Sequence, residues 1–165
     1  MLRLTLIRHA KTEPAHSGQE DWDRALEGRG LRDASEMGQR LKQRKLKPER
    51  LLTSPAVRAI TTAQLIAREL GFAPERIEQN ERLYLASAKE MLKVIQETGG
   101  GAKHLAVVGH NPGISEFADQ IATDRPMDNM PTAAVFTLEF AIADWRELTW
   151  KSGVNAEFDY PASTA

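Results

Sequence analysis

The sequence predicts an α/β fold in which helices cover both faces of a mostly parallel central sheet, giving three layers. Short apolar runs typical of buried strands alternate with segments of helical periodicity along most of the chain. The runs at 2–7 and 104–108 are apolar on both faces, as expected of parallel strands between two helical layers. With 165 residues, of which 41% are hydrophobic, we expect one domain spanning 1–165.

The predicted strands and helices alternate through the first two thirds of the sequence. Strands are predicted at 2–7, 49–53, 76–78 and 104–108. Helices are predicted from about 30 to 45, from 54 to 70, from 89 to 97 and after 113. We expect Ser54 to cap the second helix and Pro55 to occupy its first position, where both residue types are favoured. The polar residues 10–29 are predicted to form a loop of functional length.

The end of the chain predicts an antiparallel addition to this sheet. Residues 133–140 and 145–150 contain apolar and aromatic residues, and a tight turn near Asp144 separates them. We therefore expect a C-terminal β-hairpin whose second strand includes Trp145 and Trp150.

Charge and composition narrow the classes of function. Lysine and arginine total 22 against 23 aspartate and glutamate residues, so the net charge of −1 does not predict a polyanionic partner. The stretch 40–50 holds six basic residues and one acid, which indicates a solvated helix face or, alternatively, a docking patch for an acidic partner. Because this stretch has no aromatic residue for base stacking, we expect no nucleic-acid partner. The absence of cysteine excludes a thiol nucleophile.

Membrane, metal and targeting signals are weak in this sequence. No apolar stretch approaches the roughly 18 residues of a membrane helix, and the short N-terminal apolar run has no cleavage site, so we expect a cytoplasmic protein without a membrane partner. A monomer is the favoured oligomeric state. No H-E-x-x-H or similar cluster predicts a metal. His16, in a loop, and His104, at the start of a strand, are expected to face solvent.

Basic residues follow three of the predicted strands. Arg8 and His9 come at the end of the first strand, Arg58 lies in the helical turn after the second, and His110 follows the fourth. Because the carboxyl ends of parallel strands meet at one edge of a sheet, we expect these four side chains to lie close together. Guanidinium groups pair bidentately with phosphate, so this arrangement predicts a site for a phosphorylated substrate.

The histidines of this group suit phosphoryl transfer. A histidine kept neutral by neighbouring positive charge retains a free ring nitrogen, which can attack phosphorus. The second histidine and the arginines can then stabilise negative charge on the oxygens of the transferring group.

Three segments resemble the motifs of one known family. L-I-R-H at 6–9 resembles the RHG signature of the histidine phosphatase (phosphoglycerate mutase-like) superfamily, with Ala10 in place of the usual glycine. S-P-A-V-R-A at 54–59 resembles its S-P-x-x-R-A segment, and G-H-N at 109–111 resembles its second-histidine motif. The resemblance implies the phosphoglycerate mutase-like fold.

Further motifs are similar to those of the small SixA-type phosphohistidine phosphatases within this superfamily. They are D-x-x-R-x-L-x-x-x-G at 21–30, V-V-G-H-N-P-G at 107–113 and M-P-T-A-A at 130–134. This likeness implies a metal-independent hydrolase without a cofactor that acts in signal transduction. Its substrate would be phosphohistidine in a phosphocarrier domain of a partner protein.

The resemblance also implies roles for individual residues. One residue is the phosphorylated nucleophile and three complete the phosphate pocket: His9, then Arg8, Arg58 and His110. Three more polar residues are candidates for phosphate binding: Thr12, Arg24 and Asn111. For Arg24, pairing with Asp21 or Asp23 to hold the loop is an equal alternative.

Glu81 is the candidate proton donor for the leaving group. It lies in N-E-R-L-Y at 80–84, a segment that resembles the one supplying the acid in the mutases, although it could instead pair with Arg82 or cap a turn. An alkyl phosphomonoester needs such an acid because its alkoxide is basic, whereas phosphohistidine releases an imidazole, a far better leaving group. Two other functions stay open: a phosphatase for small phosphomonoesters that depends on Glu81, and a catalytically silent phosphate-binding signalling module.

Overall fold

The computed structural model describes residues 1–161, which form a six-stranded sheet with helices on both faces. The strands are β1 Leu2–Arg8, β2 Arg50–Thr53, β3 Ile77–Gln79, β4 His104–Gly109, β5 Val135–Phe140 and β6 Val154–Asp159. The helices are α1 Gly28–Gln43, α2 Val57–Leu70, α3 Ala88–Thr98 and α4 Gly113–Ile121. The predicted α/β fold is confirmed.

The strand order places three strand ends side by side. The sheet runs β3-β2-β4-β1-β5-β6, with the first four strands parallel, β5 antiparallel to β1, and β6 antiparallel to β5. Arg8 pairs with Gly109 at the end of β4, and Thr53 at the end of β2 pairs with Val108. The residues that follow β1, β2 and β4 therefore meet at one edge of the sheet.

Both faces of the sheet are buried. Leu4 and Leu6 of β1 belong to the apolar cluster that includes α3 and α4, whereas Ile7 belongs to the cluster that includes α1 and α2. Each fully buried leucine or isoleucine side chain contributes about 2 kcal/mol through removal of apolar surface from water. This two-sided burial explains why the β1 sequence is apolar at consecutive positions.

The C-terminal hairpin is confirmed, but its second strand was predicted at the wrong place. Residues Trp145–Glu147 form a short 3-10 helix, and β6 begins only at Val154. Trp145 is fully buried against Phe140 and Gly99, and its indole N–H donates to the Ala102 carbonyl oxygen over 2.9 Å. Its apolar character therefore serves the junction between α3 and β4 rather than a strand.

The start of α2 also differs from the prediction. The helix begins at Val57 with Ala56 at the cap position, and that residue makes no side-chain capping bond. Ser54, the predicted cap, lies two residues too early; its Oγ accepts the Ala56 N–H over 3.3 Å and also contacts His110. The serine is therefore used at the sheet edge instead of at the helix terminus.

The segment 10–29 is more ordered than a plain loop. It contains a 3-10 turn at Asp21–Asp23 and an isolated bridge between Thr12 and Leu26, and α1 starts two residues earlier than predicted. A Cβ atom on Gly30 would come 2.1 Å from the Lys11 carbonyl oxygen, so only glycine allows α1 to approach the segment this closely. No helix within residues 1–161 is long and apolar enough to cross a membrane.

His104 is buried rather than solvent-facing. It is the first residue of β4, which lies between β1 and β2, and its Nε2 is 2.7 Å from the Thr5 hydroxyl. Burial and the nearby Arg3 charge lower the pKa of His104 to about 4. The prediction was wrong because a central strand is covered by its neighbours even at its first residue. His16, in contrast, is exposed as expected.

Candidate active site

A cleft of about 380 Å³ opens at the sheet edge where β1, β2 and β4 end. Seven of the eight candidate site residues line it: Arg8, His9, Thr12, Arg24, Arg58, His110 and Asn111. Lys11, Asp21, Leu85 and Thr132 complete the lining. Four of these residues are basic and one is acidic, so the cleft is electropositive and suited to an anion.

His9 is held with one ring nitrogen free for chemistry. It is 8% exposed, and its Nδ1 donates to the Ala10 carbonyl oxygen over 2.8 Å. Since a carbonyl oxygen only accepts, the neutral ring carries its proton on Nδ1 and has a lone pair on Nε2. Burial, and then the charges of Arg58 and Arg8, lower the pKa of His9 to about 4. The ring is therefore neutral and nucleophilic at physiological pH.

His110 faces His9 across the cleft. The two ring centroids are 5.2 Å apart, and His110 Nε2 lies 2.7 Å from Ser54 Oγ. Its Nδ1 is buried and has no hydrogen-bond partner within residues 1–161. Burial and the neighbouring His9 and Arg58 lower the pKa of His110 to about 3. Its role as a partner for substrate oxygen stays a prediction, and Ser54 is a neighbour that the sequence had placed in a helix cap.

Arg8 and Arg58 are anchored differently. Arg8 Nη1 donates to the Met130 carbonyl oxygen over 2.9 Å, and its buried Nε has no partner in the described part of the chain. Burial lowers the pKa of Arg8, yet a guanidinium stays charged across the physiological range. The side chain of Arg58 is only 4% exposed. An unpaired buried donor is costly, so a bound oxyanion would satisfy groups that this cleft leaves open.

Asp21 is the cleft residue that sequence reasoning did not assign to the site. Arg58 donates through Nη1 to the Asp21 backbone oxygen over 2.8 Å and through Nη2 to Oδ2 over 2.9 Å. Arg24 Nη1 donates to Oδ1 over 3.2 Å, and the Tyr84 hydroxyl donates to Oδ2 over 2.5 Å. The Tyr84 hydrogen bond, with those from Arg58 and Arg24, lowers the pKa of Asp21 to about 2. The D-x-x-R spacing was the available signal.

Arg24 and Thr12 form one side of the cleft together. Arg24 Nη2 donates to Thr12 Oγ1 over 2.7 Å, and Arg24 Nε donates to the Glu13 carbonyl oxygen over 3.2 Å. Arg24 thus holds the loop through Asp21, as one alternative predicted, and also faces the cleft, as the other requires.

Asn111 lines the cleft with its amide engaged elsewhere. Its Nδ2 donates to Asn129 Oδ1 over 2.8 Å, and its Oδ1 accepts the Ser115 hydroxyl over 2.6 Å. These bonds link Asn111 to the segment that contains Met130, the partner of Arg8. Its contribution to phosphate binding stays a prediction.

Glu81 does not lie in the cleft, so the structure does not support it as a proton donor. It is exposed at the start of a 3-10 helix, Glu81–Leu83, in which Asn80 provides the cap. Arg82 pairs with Glu90 and Glu97, so the alternatives of pairing with Arg82 or capping the turn fail as well. The segment instead brings Tyr84 to the cleft, because the short helix turns the chain before it reaches the sheet edge.

Comparisons with known proteins establish the family. Residues 4–84 match the sequence model described as the histidine phosphatase superfamily (branch 1). An uncharacterized protein of Mycobacterium tuberculosis is 32% identical over 144 residues, which cover 82% of this chain and 87% of that protein. This chain belongs to the histidine phosphatase superfamily. An uncharacterized relative from Mycobacterium leprae is 31% identical over 168 residues, covering 94% of this chain and 99% of its own.

Solved structures show that the superfamily fold extends over almost the whole chain. A candidate phosphohistidine phosphatase SixA from Agrobacterium tumefaciens has a TM-score of 0.82 at 24% identity, covering 97% of this chain and 98% of that one. A protein histidine phosphatase SixA complexed with tungstate has a TM-score of 0.77 at 20% identity, covering 96% and 95%. A mycobacterial glucosyl-3-phosphoglycerate phosphatase has a TM-score of 0.68 at 16% identity, covering 96% and 97%. The phosphoglycerate mutase-like fold predicted from the motifs is thereby confirmed.

Proposed function

We propose that this histidine phosphatase is a protein phosphohistidine phosphatase of the SixA type. The observation that supports the proposal is the state of His9: a buried, neutral imidazole whose free Nε2 stands in a cleft lined by Arg8, Arg24 and Arg58. The substrate would be a phosphohistidine on a phosphocarrier domain in signal transduction, and the cytoplasmic location and monomeric state stay predictions.

The proposed reaction has two steps. His9 Nε2 attacks phosphorus, the P–N bond to the substrate imidazole breaks, and the electron pair stays on the departing nitrogen of a ring that solvent has protonated at its other nitrogen. Water then attacks the phosphorus of phosphorylated His9, the Nε2–P bond breaks, and the water proton goes to solvent. Arg8, Arg58 and His110 would bind the equatorial oxygens in both steps.

The acid chemistry of the cleft favours phosphohistidine over alkyl phosphate esters. Within residues 1–161, Asp21 is the only carboxyl group that lines the cleft, and its lowered pKa keeps it ionised at neutral pH. An ionised carboxylate cannot protonate an alkoxide, and general acid catalysis is worth typically 10²–10⁴-fold for such substrates. An imidazole leaving group does not depend on it.

The test compares two substrates and two variants. Turnover of a phosphohistidine-bearing phosphocarrier domain is measured beside turnover of glycerol 2-phosphate, with trapping of the labelled phosphoenzyme. We expect the phosphocarrier to have a kcat/KM at least about tenfold higher, His9→Ala to lose both turnover and label, and Glu81→Gln to stay within about twofold of wild type. His16→Ala, which changes an exposed histidine outside the cleft, is the matched control.

Two outcomes would replace the proposal. Preference for glycerol 2-phosphate, with loss of that activity in Glu81→Gln, would assign the protein to the small phosphomonoesterases of the superfamily. Phosphate binding without turnover of either substrate or labelling of His9 would indicate a catalytically silent module. No group of three or more His, Asp or Glu side chains arranged to hold a metal ion occurs in the described part of the chain, and metal independence of the activity stays a prediction.

A further inference from the structure

The leaving group of the substrate must lie at the mouth of the cleft. His9 is almost fully buried at the cleft floor, and an attacking nitrogen and a leaving group stand in line on opposite sides of phosphorus. A phosphoryl group bound among Arg8, Arg58 and His110 therefore directs the rest of the substrate toward the opening.

Leu85 is the apolar residue at this opening. Among the described residues that line the cleft it is the only one with a hydrophobic side chain, and that side chain is 54% exposed. Its backbone has a φ of 49°, in the left-handed region that bulky L residues rarely adopt because Cβ crowds the backbone. The buried residues Leu83 and Ala86 on either side hold the chain in this conformation.

The strain at Leu85 brings no packing benefit to the fold. A glycine at this position would adopt the same φ without strain, and a side chain that is more than half exposed contributes little to the core. Residues in such conformations cluster at functional sites, where the surrounding structure imposes them. A strained, exposed leucine at the mouth of a charged cleft therefore indicates a role in contacting the substrate.

Two aromatic side chains continue the apolar surface from Leu85. Tyr84 packs edge-on against His110 with centroids 5.5 Å apart, and Trp22 packs on Tyr84 at 4.7 Å. We call Trp22, Tyr84 and Leu85 the apolar rim. Both Trp22 and Tyr84 are only partly buried, so the rim keeps accessible surface beside the phosphate pocket.

We propose that the apolar rim is the leaving-group subsite, in which Leu85 contacts the face of the substrate's phosphorylated imidazole ring. The inference rests on the proposed function and adds the part of the site that distinguishes phosphohistidine from other N–P compounds. A flat heteroaromatic ring presents an apolar face to a leucine side chain, whereas a small amine leaving group has no such face.

The test compares a phosphohistidine peptide with phosphoramidate, whose N–P bond releases ammonia and no ring. Leu85→Gly removes the side chain and the strain, whereas Leu85→Ala removes most of the side chain and keeps the strain. We expect both variants to raise KM for the peptide about fivefold to tenfold, to change kcat/KM for phosphoramidate less than twofold, and Leu85→Gly not to lower Tm. Leu31→Ala, at a leucine that is 43% exposed on α1 outside the cleft, is the matched control and should leave both substrates unchanged.

Three results would overturn the inference. Unchanged peptide KM in both variants would show that Leu85 does not contact the leaving group. Equal losses with peptide and phosphoramidate, or a lower Tm in Leu85→Gly, would show that Leu85 supports the shape of the cleft. Failure of the proposed function is visible separately, because wild-type protein would then not hydrolyse the phosphohistidine peptide at all, and the subsite would fall with it.

Discussion

Asp21 is the acidic residue of an otherwise basic cleft, and its contacts give it an organising role. Its backbone oxygen and one carboxylate oxygen accept both terminal nitrogens of Arg58, while its other carboxylate oxygen accepts Arg24. Charge-assisted hydrogen bonds of this kind constrain a guanidinium more strongly than neutral ones do. The arginines can then present their remaining N–H groups to a phosphoryl group without first being ordered.

We expect Asp21→Asn to lower kcat/KM for the phosphohistidine substrate about tenfold, equivalent to about 1.4 kcal/mol of transition-state stabilisation. The physical reason is that a neutral amide cannot accept from Arg58, Arg24 and Tyr84 together. Steady-state kinetics and vanadate titration provide the measurement. Asp23→Asn, at an exposed position in the same turn, should behave as wild type. Tighter vanadate binding with unchanged kcat/KM would mean that Asp21 competes with phosphate instead.

At the scale of elements, α4 is placed by a close backbone contact. A Cβ atom on Gly113, the first residue of α4, would lie 1.8 Å from the Ala86 carbonyl oxygen. The turn that contains Ala86 also contains Tyr84 and Leu85, so this contact links the helix after β4 to the rim of the cleft. The position of α4 and the shape of the opening therefore depend on the same glycine.

We expect Gly113→Ala to lower the free energy of unfolding by about 2 kcal/mol or more, because the backbone must shift to admit the methyl group. Helix propensity alone would give the opposite sign, since alanine is favoured over glycine in a helix by up to about 1 kcal/mol. Urea denaturation distinguishes the two. Gly101→Ala is the control, because a Cβ atom there would meet nothing within 4 Å. A Gly113→Ala protein as stable as wild type would contradict the close contact.

At the scale of the whole molecule, the fold keeps three histidines buried and neutral. Burial is the main cause that lowers the pKa values of His9 and His104 to about 4 and that of His110 to about 3. The unfolded chain binds protons at these residues near pH 6.5, whereas the folded protein does not until the pH is much lower. The unfolded state therefore binds more protons between these values, and stability rises with pH there.

We expect the free energy of unfolding to fall between pH 7 and pH 5 by about 2 kcal/mol for each histidine that stays neutral in the folded state. Denaturant titrations at the two pH values provide the measurement. His104→Gln should reduce the fall by one such increment, and the exposed His16→Gln should leave it unchanged. A protein that is equally stable at both pH values would show that these histidines titrate normally.

The basic stretch 40–50 is also decided at this scale. Arg40 pairs with Asp159 over 2.9 Å, Arg44 pairs with Glu157, and Arg50 pairs with Glu78 over 2.7 Å. Half of its cations thus pair with acidic residues of β3 and β6, which favours the interpretation as a solvated structural face. The sequence showed the local charge but not its partners, because those partners lie about 30 to 120 residues away.

The sequence by itself determined the α/β class, the parallel strands and the residues that converge at their ends. These follow from apolar periodicity and from short motifs around His9, Arg58 and His110, which contiguous residues encode. Only the tertiary structure decided that Asp21 and Leu85 line the cleft and that Glu81 does not. It also decided that Trp145 belongs to a buried turn. Such placements depend on how loops and short 3-10 helices pack against distant elements, and no local pattern in the chain specifies that packing.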